Sequence, residues 1–256
     1  MSGKIETAFA PPIGTVGGAA MFDHGAWDAL LATHVSIPAI GPTRVAYGAF
    51  PAADRGVLAD YLARLQRQGI AGLGWAEQFA FWINLYNAQT VAVVLDHYPV
   101  ASIRDIALGG SLRAVVSGGP WQAKLMTVTG VRLSLDDIEH AILRRMYRDP
   151  RLHYAINCAS LGCPSLRRSA FTGANLEAQL QASAREFINS PHGVRFDADR
   201  LVLSGIFDWY RKDFGGTDRA VIEHLASHAE APLRERLLGA DCAAGHQYDW
   251  ALNDVL

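Results

Sequence analysis

The sequence predicts an α+β protein. A single domain over residues 21–256 is built on a long buried helix, with further helices and a small antiparallel sheet around it. Three observations predict this. Half of the 256 residues are hydrophobic, enough to bury a full core. The stretch Trp75–Pro99 is apolar nearly all round, as a helix enclosed on every side must be. Short β-prone runs at Lys124–Leu133 and Val194–Leu203 fold back on turn residues and read as hairpins.

Residues 1–20 are rich in Gly, Pro and Ala and predict a flexible N-terminal arm. They contain no continuous apolar run of the signal-peptide kind, so no signal peptide is expected; the compartment stays open between cytoplasm and a mature exported form. Asp23 is placed to cap a helix that carries Trp27, Leu30, Leu31 and His34. A short strand follows at Val45–Tyr47. The spacing of Val57, Leu58, Tyr61, Leu62 and Leu65 predicts a helix over Asp54–Gln68 that stops at Gly69.

The central helix contains Asn84, Asn87 and Gln89, so it reads as buried in protein and not as a membrane span. At about 100° per residue, Glu77, Asn84 and Asn87 fall on one stripe. Buried amides need partners. They either bond to neighbouring backbone or floor a polar pocket. Val100–Gly119 reads as a loop with a short turn at Ser102–Ile106. Beyond the first hairpin, Ser134 with Asp137 signals a helix start, and Asp149-Pro150 ends that helix. Leu152–Cys158 is short, apolar and β-prone and predicts an interior strand. Helices are expected from Asn175 to Ile188, Ile206 to Phe214, Thr217 to Ala229 and Pro232 to Leu238. The tail at Gln247–Trp250 can add an edge strand.

The formal net charge is −2 and the Lys and Arg residues are scattered, which argues against nucleic acid and against an anionic membrane surface. No Gly-rich phosphate loop, HExxH or GxSxG is present, and the sequence predicts no cofactor.

The chemistry concentrates in Leu133–Leu166. Glu139 falls near the middle of the apolar arc formed by Leu135, Ile138, Ile142, Leu143 and Met146. An unpaired carboxylate there costs several kcal/mol or becomes neutral, unless it faces a cavity. His140 borders the arc. Adjacent helical residues point about 100° apart, so Glu139 is expected to serve His153 and not His140. Cys158 ends the predicted strand beside the turn Ala159–Gly162, a plausible place for a nucleophile. The ordinary reading of such a cysteine is a small buried hydrophobe. Three cysteines allow Cys158 and Cys163 to pair, leaving Cys242, or all three to stay reduced.

The segments FWINLYNA, LSLDDIEH, HYAINCASLGCPSL and IFDWYRKDFG resemble the motifs of the family known as domain of unknown function 547, over about residues 22–253. The resemblance puts shared polar positions on Asn84, Asn87, Glu139, His140, Asn157 and Cys158. A long buried helix with a Cys/His/acid set also resembles papain-like and transglutaminase-like enzymes. In those the cysteine precedes the histidine; here His140 precedes Cys158.

The leading expectation is a cysteine-dependent hydrolase or acyltransferase acting on an amide, ester or thioester of a small-molecule or peptide-like substrate. Cys158 attacks, His140 or His153 is the base, and Glu139 orients a histidine or acts as acid. Asn84, Asn87 and Asn157 contact substrate. One alternative is a non-catalytic ligand-binding or structural domain. Another is thiol redox, or a zinc site, at Cys158 and Cys163; the leading reading needs no metal. Oligomeric state is left open.

Overall fold

The computed structural model describes residues 2–11, 20–68, 70, 72–108 and 119–255. The helix Trp75–His97 runs through its centre, with nearly every residue from Glu77 to Leu95 buried. Helices Gly25–His34 and Ala52–Arg67 cover it through Trp27, Leu30 and Leu31 and through Leu58, Tyr61 and Leu65. The first of these has His24, not Asp23, at its N-cap position, and Asp23 accepts from the N–H of Gly25. No described helix is long and apolar enough to cross a membrane.

The N-terminal arm differs from expectation. Ser2–Phe9 is a helix whose Ile5 and Phe9 are buried, Phe9 edge-on against Trp82 with ring centroids 5.0 Å apart. Two large apolar groups four residues apart supply a buried face that Gly/Pro/Ala content does not reveal. Residues 12–19, Gly69 and residues 109–118 of the expected arm, helix stop and loop lie outside the described residues.

The α+β class holds, with the sheet component divided among three small sheets. β1 (Val35–Ser36) pairs with β2 (Arg44–Val45). β3 (Met126–Val128) and β4 (Val131–Leu133) form the first expected hairpin, turning at Thr129 and Gly130 with φ of 46° and 81°. Two successive positive φ values are what a tight two-residue hairpin turn demands. β5 (Val194–Asp197) and β6 (Arg200–Ser204) form the second, and β7 (Gly245–Gln247) adds to β6 in parallel.

The segment Leu152–Cys158 is buried but is not a strand. Asp149 accepts from the N–H of Arg151 and starts a short 3-10 turn over Pro150–Tyr154. Beyond it, a side chain takes the place of a strand partner. The Asn87 amide donates to the Ala155 carbonyl (2.9 Å) and accepts from the N–H of Asn157 (2.8 Å). One carboxamide therefore satisfies two backbone groups, as a neighbouring peptide in a ladder would.

Apolar side chains gather in two clusters. The larger surrounds the central helix, and the smaller joins Tyr154, Phe187, Leu203, Phe207, Phe214 and Ile222. Residues 249–253 run between distant parts of the chain. Leu161 and Gly162 donate to the carbonyls of Ala251 and Asp249, Asn253 donates to Ala159, and Val45 donates to Asn253. Gly162 permits this approach, since a Cβ there would lie 2.7 Å from the Asp249 nitrogen.

Candidate functional site

A cleft of about 290 Å³ opens where residues from both clusters meet, with Tyr86 and Ile156 on one side and Ile206 on the other. Four of the seven residues nominated from the sequence line it: Glu139, His140, His153 and Cys158.

Glu139 and His140 come from the helix Asp137–Tyr147. The reciprocal bonds predicted at its start are present: Ser134 Oγ accepts from the N–H of Asp137, and Asp137 accepts from the N–H of Ser134. Lys124 also pairs with Asp137. From there the helix is a π-helix, with hydrogen bonds from i to i+5. The sequence predicted ordinary α winding. The wider winding turns successive side chains through a smaller angle, and His140 Nδ1 lies 3.8 Å from a Glu139 oxygen. The acid thus lies beside His140, which the α wheel turned away from it, while the partner of His153 is a different carboxylate.

Glu139 is 6% exposed. Tyr86 donates to it at 3.4 Å, and its charge acts on the Tyr210 hydroxyl. Burial, then the Glu139 charge, push the Tyr86 and Tyr210 hydroxyls well above their usual range, so both stay protonated donors. No arginine clasps this carboxylate among the described residues. Arg144, one turn on, bonds Asp213 through Nε (2.6 Å) and Nη2 (3.0 Å) and approaches His140 Nδ1 at 3.1 Å.

His153 is 3% exposed, stacked on Tyr210 with centroids 4.2 Å apart. Its partner is Asp213, 2.7 Å from Nε2. Burial raises the Asp213 pKa, but the hydrogen bonds from His153 and Arg144 outweigh it and hold the carboxyl below its ordinary range. Asp213 was missed by the sequence reading. It lies sixty positions from His153, within the IFDWYRKDFG motif, and nothing in one sequence couples the two.

Cys158 and Cys163 form a disulfide, and both sulfurs line the cleft. Cys158 is half-buried and Cys163 is 4% exposed. The Tyr248 hydroxyl lies 3.1 Å from each sulfur, and Ser160 donates to that hydroxyl at 2.9 Å. Bonded to each other, the sulfurs offer no thiolate to zinc. Cys242 is free and exposed.

The three asparagines stand apart from the cleft lining. Asn84 bonds both backbone groups of Phe171, donating at 2.8 Å and accepting at 3.0 Å, just as Asn87 clamps Ala155 and Asn157. Asn157 donates to the Pro164 carbonyl and accepts from the N–H of Ala159, holding the disulfide loop. Of the two roles considered for Asn84 and Asn87, the structure displays the backbone one.

The remaining lining is aromatic: Trp121, Trp209, Tyr210, Tyr248 and Trp250 join Tyr86. The sequence marked Trp209, Tyr210, Tyr248 and Trp250 only as helix or tail residues. Their convergence depends on the tail returning to β6, which no local pattern encodes.

No curated protein and no solved structure matches the chain. Residues 70–188 match a family model described as protein of unknown function, DUF547. The match is narrower than the resemblance over 22–253: it includes Tyr86, Glu139, both histidines and both paired cysteines, and stops short of Tyr210, Asp213 and Tyr248. The segment 70–188, which supplies the sulfurs and the buried acid of this cleft, is similar to the family of proteins of unknown function, DUF547.

Proposed function

We propose that the cleft is the active site of a thiol enzyme working by thiol–disulfide exchange, with Cys158 the attacked and attacking sulfur and Cys163 its resolving partner. The observation that carries this reading is the bonded sulfur pair in the wall of the cleft, its more open member being Cys158. A substrate thiolate attacks Cys158 Sγ, the S–S bond breaks, and the electron pair leaves on Cys163. A second substrate thiolate attacks the mixed disulfide and releases the substrate disulfide and the Cys158 thiolate. Two substrate thiols are thereby oxidised and the protein pair is reduced; the reverse sequence reduces a substrate disulfide. The Tyr248 hydroxyl, within 3.1 Å of both sulfurs and kept protonated by burial, can donate to whichever thiolate forms.

The test is a redox titration of the folded protein in glutathione buffers, with free thiols trapped and counted by mass. The expected result is reversible gain of two protons with the fold retained, and a mixed disulfide through Cys158 in Cys163→Ser. A pair that resists excess reductant until the protein unfolds is a structural staple, and that result overturns the reading.

A second reading, acyl transfer by reduced Cys158, is favoured by the His153–Asp213 pair in the same cleft. A base oriented by an acid is the arrangement nucleophilic catalysis uses. In that reaction the thiolate adds to the substrate carbonyl, the amine or alcohol leaves with a proton from His153, and water cleaves the thioester. In reduced protein a thiol-directed electrophile then labels Cys158 ahead of Cys242. Labelling of Cys242 alone refutes it.

A further inference from the structure

We infer that the cleft selects an organic cation: a substrate with an ammonium group on a short apolar stem. This rests on the cleft being the substrate site, and not on which sulfur chemistry follows.

The charges of the lining point one way. Asp136 and Glu139 both line the cleft, and no Lys or Arg does among the described residues. Glu139 accepts from the Tyr86 hydroxyl and lies 3.8 Å from His140 Nδ1, while Arg144 acts on it through its charge without a hydrogen bond. Burial pushes the carboxyl of neighbouring Asp136 above its ordinary range, and the Glu139 charge adds to the rise while His140 opposes it. The nearest guanidinium, that of Arg144, is committed to Asp213 through two bonds.

The walls suit the same ligand. Six Trp and Tyr rings line about 290 Å³, and aromatic faces attract cations through their quadrupoles. Two of these rings already do so outside the lining: Arg104 sits 5.0 Å over Trp250 and Arg144 4.8 Å over Tyr210. A carboxylate-bearing or phosphorylated ligand would meet two carboxylates in a low-dielectric cleft and be repelled. A neutral ligand would fill the aromatic box but bring no charge opposite the Glu139 carboxylate in the lining. An alkylammonium does both, with its stem on the rings and its charge toward the acid.

The experiment is calorimetric titration of the oxidised, disulfide-intact protein with two shape-matched pairs: choline against 3,3-dimethylbutan-1-ol, and butylamine against butan-1-ol. At least one ammonium is expected to bind roughly ten-fold or more tighter than its neutral partner. Glu139→Gln, with its fold checked by near-ultraviolet circular dichroism, is expected to remove the difference. Equal affinities within both pairs, tighter binding of the neutral members, or no binding of either cation overturns the inference. The wild-type comparison decides this even where the variant misfolds. Because the disulfide stays closed throughout, a failed redox titration and a failed cation titration are separate results.

Discussion

At the scale of single residues, the structure turns on polar groups spent on backbone. Asn87 holds the Ala155 carbonyl and the Asn157 N–H, both buried. Asn87→Ala leaves two such groups unpartnered, and each costs about 1–3 kcal/mol. The variant is expected to lower the urea midpoint by several kcal/mol equivalent, with Asn87→Asp little better because it cannot donate to the carbonyl. His24 makes a second case. Burial lowers its pKa from 6.5 to about 4, although a Glu77 oxygen lies 3.9 Å from its ring. That carboxylate is engaged by the N–H groups of Phe22 and Gly173. With the folded pKa below the unfolded one, the unfolded chain binds more protons through this window. Stability from His24 is complete above pH 6.5 and is lost as pH falls toward about 4. Melting scans between those limits should show a slope that His24→Gln makes shallower; an unchanged slope contradicts the assignment.

At the scale of elements, what the sequence made legible follows from how far each signal is local. The helix Trp75–His97 was readable because its apolar character is continuous along the chain. The Ser134/Asp137 start and the Thr129-Gly130 turn were readable because each is written within four residues. The Leu152–Cys158 strand was misread because apolar runs report burial and not the partner, and the partner is a side chain from another helix. The π winding of Asp137–Tyr147 was equally hidden, since no residue type in the sequence marks bonding from i to i+5. Asp213 and the tail aromatics needed contacts across 60 to 90 positions. The element most exposed to a single change is the disulfide loop, where the tail passes close over Gly162. Gly162→Ala places a methyl against the Asp249 backbone, and overpacking of this kind costs about 1–3 kcal/mol. Thermal melting should fall accordingly, and tryptophan emission should shift as Trp250 moves from the cleft.

At the scale of the whole molecule, the cleft depends on two apolar clusters keeping their relation, and one ionic group ties them. Asp213 follows the short helix Ile206–Trp209, and it receives Arg144 from the acid helix and His153 from the 3-10 turn. Asp213→Ala strands both donors. Bonds to charged groups are worth about 1.5–3 kcal/mol, and a loss of that size is expected at pH 7. The sign with pH is fixed by the depressed folded pKa. The contribution is present above the ordinary 3.8 and is lost as pH falls through the lower folded value. Denaturant curves of wild type and variant should therefore converge in acid. A constant gap would show that Asp213 acts by packing and not by charge.

The clasp on the sulfurs also sets an order of events. Tyr248, whose hydroxyl touches both, is made ninety residues after Cys158. A nascent chain that has just exposed Cys163 therefore carries two bare thiols with no phenol to shield them. Their pairing during synthesis is left to whatever oxidants, reductants or chaperones meet the emerging chain, and the phenol reaches them only once the tail is threaded through.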